Sequence, residues 1–178
     1  MVYNLPVKPS PNLPNLQSIL LYPSICYFEG TEISLGRGTD KPFQVYGHPA
    51  FSDTLYSFTP TSLPGAKNPP LLGKTCYGYD LSQDSGKMIK YRNQKLNLSY
   101  LLKAYQMFPQ KDSFFLRPPK GNPSTSDYFF NKLVGNDQLM WQLLNSKTEA
   151  EIRKSWTPGI VAFKKIRKKY LLYRDFEQ

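Results

Sequence analysis

Apolar positions fall into short periodic stretches separated by segments rich in proline and glycine. Leu98, Leu101, Leu102 and Tyr105 repeat at i, i+3, i+4 and i+7, which predicts a helix over 97–108. Apolar and polar residues alternate over 43–47 (FQVYG), predicting a short strand. A second strand is expected at about 74–81, where Cys76 and Tyr77 bring β-compatible side chains, and a third around Phe114–Leu116. Residues 15–22 fit a short helix stopped by Pro23, followed by an apolar strand or buried loop over 24–28. A short helix is expected over 49–58 with Pro49 near its first turn, and 60–73 reads as loop throughout.

The last third reads as helical. Asp127 is expected to cap a helix over 128–133, and Asn136 or Asp137 one over 138–144. Thr148 followed by Glu151 has the spacing of a capping box, so a helix should start there and run to about Trp156. Thr157-Pro158 then resembles an N-cap with proline in the first helical position. Ile160, Phe163, Ile166 and Tyr170 form the apolar stripe of that next helix. Prolines at 6, 9, 11 and 14 make 1–14 an extended linker or domain junction, leaving 15–178 as one folded unit. The fold class is α/β or α+β, with short mixed strands, long loops and a helical C-terminal third.

Composition allows a packed core: 40% of the 178 residues are hydrophobic and 15% aromatic. The 23 lysines and arginines exceed the 13 acidic residues, giving a formal charge of +10. Such a charge fits nucleic acid, an anionic surface or an anionic polymer, and equally fits simple solubility. Two cysteines, Cys26 and Cys76, and one histidine are too few for a structural zinc site, which takes about four such ligands. Nothing among the residues suggests a metal or an organic cofactor. The cysteine pair fits either a disulfide or two buried thiols. The first residues lack the apolar core of a secretory signal, and no apolar run reaches the length of a membrane span.

The segment 28–39 concentrates the chemistry. Gly30, Gly36 and Gly38 permit close approach of a ligand, and Glu29 and Arg37 place one acid and one base in the same loop. A salt-bridged structural loop fits the same residues. His48 follows a strand, and Asn68-Pro69-Pro70 forms a rigid turn, but each also has an ordinary structural reading.

Phe28-Glu29-Gly30-Thr31, Gly36-Arg37-Gly38-Thr39-Asp40-Lys41-Pro42-Phe43 and Gly47 resemble the signature of the NamZ/YbbC-like family. Leu21-Tyr22-Pro23, Phe58-Thr59-Pro60, Asn68-Pro69-Pro70, Gly73-Lys74-Thr75-Cys76-Tyr77-Gly78 and Ser155-Trp156 match in the same order. The resemblance covers nearly the whole sequence, and only the C-terminal part of that family. It implies part of an exo-β-N-acetylmuramidase, which releases N-acetylmuramic acid from the non-reducing end of peptidoglycan fragments. It implies muropeptides or muramyl disaccharides as substrates, a cell-envelope, periplasmic or secreted location, and a Rossmann-like N-terminal half that is absent here.

Glycoside hydrolysis generally uses two carboxyl groups. Glu29 is therefore the candidate acid, base or sugar ligand. Arg37 is the candidate reader of the lactyl carboxylate, because a guanidinium binds carboxylate through two parallel hydrogen bonds. Thr39, Asp40, His48 and Asn68 are further substrate-binding candidates, with Asp40 either orienting Arg37 or closing the turn. A non-catalytic peptidoglycan-binding module is the first rival reading. A basic nucleic-acid module is the second, resting on Lys164, Lys165, Arg167, Lys168 and Lys169; a solvated basic helix face explains those residues equally well.

Overall fold

A computed structural model describes residues 5–52, 54–82, 96–119 and 121–175. Among these residues it contains a three-stranded antiparallel sheet and five α-helices. The strands are β1 (Val45–His48), β2 (Tyr56–Phe58) and β3 (Cys76–Asp80), in the order β1-β3-β2. The helices are α1 (Leu16–Ile25), α2 (Ser99–Met107), α3 (Phe129–Val134), α4 (Gln138–Leu144) and α5 (Glu149–Arg167). The sheet is wholly antiparallel, so α+β is the arm of the expectation that applies, and the C-terminal third is helical as expected.

Phe28, Phe43, Tyr46, Leu98, Leu101, Phe114, Phe130 and Ile152 lie within one buried core. The rings of Phe28 and Tyr46 stack with centroids 5.0 Å apart, joining the turn after α1 to β1. Phe115 meets Phe130 edge-on at 4.7 Å, joining the chain after α2 to α3. The periodic stripe of α2 buries Leu98, Leu101 and Ala104, as its spacing required.

Several expectations are corrected. Pro23 lies inside α1 rather than ending it. Its ring is exposed, and burial of Leu21, Ser24 and Ile25 at i, i+3 and i+4 carries the helix past it. Residues 26–30 form a 3₁₀ turn, not a strand. The helix expected over 49–58 is absent among its described residues, and Tyr56–Phe58 pairs with β3 instead. Asp127 does not cap α3; its carboxylate accepts from the backbone N–H of Ser124, one turn earlier, at 2.9 Å. The strand expected at 114–116 reduces to a single bridge between Phe115 and Thr31.

At 148–151 the capping box forms in full: Glu151 N–H donates to Thr148 Oγ1 (3.3 Å), and Thr148 N–H donates to Glu151 Oε2 (2.8 Å). The helix it starts is nevertheless one element to Arg167, with Pro158 inside. An N-cap at Thr157 would accept from an N–H ahead of it. Its hydroxyl instead donates backwards to the Arg153 carbonyl at 3.2 Å, so no second helix begins there.

Of the segment 1–14, residues 1–4 lie outside the described residues. Ser10 and Leu13 form a tight turn, and the Asn12 side chain donates to the Gly65 carbonyl at 2.8 Å, tying this end to the loop 60–73. No helix among the described residues is long and apolar enough to cross a membrane.

Candidate functional site

The loop that carries Glu29 and Arg37 is strapped on two sides. Glu32 N–H donates to the Phe114 carbonyl, and Leu116 N–H donates to the Gly30 carbonyl, both at 3.0 Å. On the other side Ser34 and Gly47 exchange two backbone bonds of 2.9 Å, fixing the loop to β1. Gly30 sits directly on α3: a Cβ there would lie 2.5 Å from Phe130 Cα. Gly36 and Gly38 adopt φ of +83° and +79°, where side-chained residues are strained, and Thr39 N–H closes the turn onto the Gly36 carbonyl at 3.1 Å.

This scaffold brings Glu29 and Arg37 into contact. Arg37 Nε donates to Glu29 Oε1 at 2.9 Å, and Arg37 Nη2 donates to the same oxygen. The guanidinium also lies over the Phe43 ring, 5.0 Å from its centroid. One edge of the guanidinium is thus engaged, and among the described residues the edge formed by Nη1 and Nη2 has no acceptor. Glu29 Oε2 likewise makes no hydrogen bond among the described residues.

The pair lines a cavity of about 470 Å³. Its floor is apolar, made by Phe28, Ile33 and Leu35, and Leu71, Leu116 and Phe129 close its sides. Leu71 holds φ of +59°, a left-handed conformation that costs a non-glycine residue roughly 1–2 kcal/mol. Such strain in a cavity wall is a common mark of a functional loop.

Glu32 also lines the cavity, and its carboxylate has no hydrogen bond or ion pair among the described residues. The sequence reading missed it, together with Leu71, Leu116 and Phe129. The available signal was the recurrence of a second acid three residues after Glu29 in one strapped loop.

Other sequence candidates lie elsewhere. Thr39 serves its own turn, donating to the Gly36 carbonyl at 2.7 Å and accepting from Lys41 N–H at 3.0 Å. Asp40 does not orient Arg37, whose partner is Glu29. His48 does not line the cavity: its ring packs edge-on against Phe108, and Nδ1 accepts from Ala50 N–H at 3.0 Å. Burial, and secondarily Lys74, lower its pKa, so the ring stays neutral near neutral pH. Asn68 is exposed, while the adjacent Pro69 is buried and Pro70 reaches the cavity wall. Both cysteines are free thiols, and burial raises Cys26 to about 11 and Cys76 to about 12, so neither is an activated nucleophile. A second cavity of about 540 Å³ lies between β3 and α2, and contains neither Glu29 nor Arg37.

The family profile described as exo-β-N-acetylmuramidase NamZ, C-terminal, matches residues 20–173, and so includes the whole strapped loop. The chain belongs to this NamZ C-terminal family. A curated relative, the peptidoglycan β-N-acetylmuramidase NamZ of Bacillus subtilis (strain 168), is 33% identical over 94% of this chain and 40% of its own length. The crystal structure of a DUF1343 family protein from Bacteroides fragilis is 48% identical and superposes with a TM-score of 0.83. That match covers 98% of this chain and 46% of that one. The chain therefore spans less than half the length of either relative.

Proposed function

We propose that this domain forms one wall of the saccharide site of a peptidoglycan exo-β-N-acetylmuramidase, the other wall coming from a Rossmann-like half. The observation that carries the reading is the Glu29–Arg37 pair on the rim of an apolar cavity. A sugar ring offers apolar faces and polar edges, and the cavity matches both: Phe129 presents an exposed ring beside two carboxylates and a guanidinium. The free edge of Arg37 suits the lactyl carboxylate that distinguishes muramic acid, bound through two charge-assisted bonds. Glu29 Oε2 is then the acid, base or sugar-hydroxyl ligand, held in place because Oε1 is fixed by Arg37. Glu32 supplies a second acceptor for sugar hydroxyls. The implied substrates are muropeptides or muramyl disaccharides, and the implied location is the cell envelope, the periplasm or the exterior.

Release of muramic acid from a chromogenic muramoside tests this. The 178-residue chain alone is expected to show no appreciable turnover, and addition of a Rossmann-like half is expected to restore it. Glu29→Gln should abolish the restored activity. Robust hydrolysis by the chain alone would refute the two-part site. Muropeptide binding without turnover in either arm would leave a non-catalytic peptidoglycan-binding module.

A further inference from the structure

The cavity of about 540 Å³ between β3 and α2 stands apart from the Glu29–Arg37 site. Three tyrosine rings make its wall: the Tyr46 centroid lies 5.3 Å from that of Tyr79 and 6.0 Å from that of Tyr100. Tyr46 is only 1% exposed and stacks on Phe28 at 5.0 Å. Phe28 lines the first cavity and Tyr46 the second, so one stacked pair separates the two. The Tyr46 hydroxyl makes no hydrogen bond among the described residues, yet it is not sealed in the core, and it emerges at the cavity. Burial first, then Tyr79 and Tyr100, push its pKa well up, so it keeps its proton and can donate. A tyrosine hydroxyl this deep ordinarily has a partner, and an acceptor brought by a ligand supplies one.

The charges lining the cavity decide the class of ligand. Both oxygens of Asp80 are engaged, Oδ2 by Lys41 Nζ at 2.6 Å and Oδ1 by Ser82 N–H at 2.8 Å. Glu149 Oε1 accepts from Arg153 Nε at 2.7 Å and from Nη2 at 2.6 Å. Lys103 Nζ lies 4.1 Å from the Tyr79 centroid, in a cation–π contact. Each charge thus has a partner within the protein, and two carboxylates in the lining disfavour a phosphate or a nucleic-acid backbone. The polar groups left open are neutral: the Tyr46 hydroxyl, the Ser99 hydroxyl and the Gln106 amide, none hydrogen-bonded among the described residues. Apolar ring surface bordered by neutral donors and acceptors complements a pyranose. An acetamido group adds a methyl for the tyrosine rings and a carbonyl for the Tyr46 donor.

We infer that this cavity is a second glycan site, taking a neutral N-acetylated sugar where the Glu29–Arg37 cavity takes a charged one. The stacked Phe28–Tyr46 pair stands between the two, so the second site holds glycan apart from the scissile bond. The choice of N-acetylglucosamine as that sugar rests on the peptidoglycan reading given above, while the class, a neutral sugar, follows from the cavity itself.

Amide NMR titration of the chain with tri-N-acetylchitotriose, a neutral chain of N-acetylglucosamine, tests it. Saturable shifts are expected at Tyr46, Tyr79, Leu81, Ser99 and Lys103. Tyr46→Phe keeps the ring packed on Phe28 and removes only the hydroxyl, so the fold stands and binding at these residues should weaken about fivefold. Cellotriose, which lacks the acetamido groups, should bind at least about fivefold more weakly than tri-N-acetylchitotriose. No shift at these residues, an unchanged affinity in Tyr46→Phe, or equal binding of cellotriose overturns the inference. So do the same shifts produced by inorganic phosphate, which assign the cavity to an anion, or by a dialanine peptide, which assign it to a peptide. Arg37→Lys should leave the shifts around Tyr46 as they are, and their loss in that variant would merge the two sites and overturn the inference too. None of these readouts depends on hydrolysis, so shifts around Tyr46 with a failed muramidase assay would sink the activity and leave the second site intact.

Discussion

Gly30→Ala tests how the site loop is positioned. The added Cβ would lie 2.5 Å from Phe130 Cα, 2.6 Å from Phe130 N and 2.8 Å from Phe130 Cβ. Two of these atoms are backbone, so no rotamer change relieves the overlap. Nor can α3 retreat freely. Phe130 is fully buried against Phe115, and the neighbouring Asn131 side chain donates to the Thr125 carbonyl at 2.8 Å. Overpacking costs about 1–3 kcal/mol where side chains can adjust, and backbone against backbone places this change near 3 kcal/mol. A domain of this size loses about 2–4 °C per kcal/mol, so the Tm should fall by about 6–12 °C.

Gly73→Ala is the control. It has open space around it but φ of +72°, so it should cost only about 1 kcal/mol from backbone strain. Melting followed by circular dichroism reads both variants. A Gly30→Ala protein that melts within about 1 °C of wild type, or above Gly73→Ala, would refute the close-packing argument.

Three further outcomes are expected. Thr148→Ala removes the hydroxyl that accepts from Glu151 N–H, and should cost about 1 kcal/mol in urea denaturation; a change below about 0.3 kcal/mol would show that the cap contributes nothing. Glu151 is lowered to about 2, first by the Thr148 N–H and then by Lys147 and the Thr148 hydroxyl. Its contribution to stability is therefore full above the ordinary carboxylate range and lost as pH falls towards 2, and Glu151→Gln should flatten the acid limb of the stability profile. The raised thiols act in the opposite direction: the unfolded chain releases these protons first, so stability should fall as pH rises from about 9 towards 11 and 12. Rapid labelling of native Cys76 by a disulfide reagent at pH 8 would contradict its burial.

Much of the architecture was legible where local signals act alone. The apolar period over 97–108 gave α2, because one face of that helix meets the core directly. The Thr148–Glu151 box was readable because its two bonds close within four residues. Proline signals failed in both helices that contain one. Thr157-Pro158 has the same letters at a helix start as inside a helix, and only the direction of the Thr157 hydroxyl bond separates the two cases. Strand β2 was read as helix because a three-residue strand takes its identity from β3, which is distant in sequence.

The site was half legible. The loop pointed to Glu29 and Arg37, but their direct pairing depends on the turn between Gly36 and Thr39. Phe129 and Leu116 reach the cavity from elements nearly 100 residues away, which no local pattern announces. The stripe Phe163–Ile166–Tyr170 was expected as the apolar side of a surface helix, yet all three side chains are exposed, because periodicity marks which side of a helix is apolar and not whether the fold covers it.

The central claim is that Arg37, anchored on Glu29, reads the lactyl carboxylate of muramic acid. The most direct test is an amide NMR titration of this chain with N-acetylmuramic acid and with N-acetylglucosamine, which lacks the lactyl group, in wild type and Arg37→Lys. The muramic sugar should shift residues 28–37 together with Leu71, Leu116 and Phe129. Arg37→Lys should weaken that sugar about tenfold, corresponding to about 1.4 kcal/mol, and leave N-acetylglucosamine unchanged. Equal losses for the two sugars, or shifts that bypass the cavity, would contradict the account.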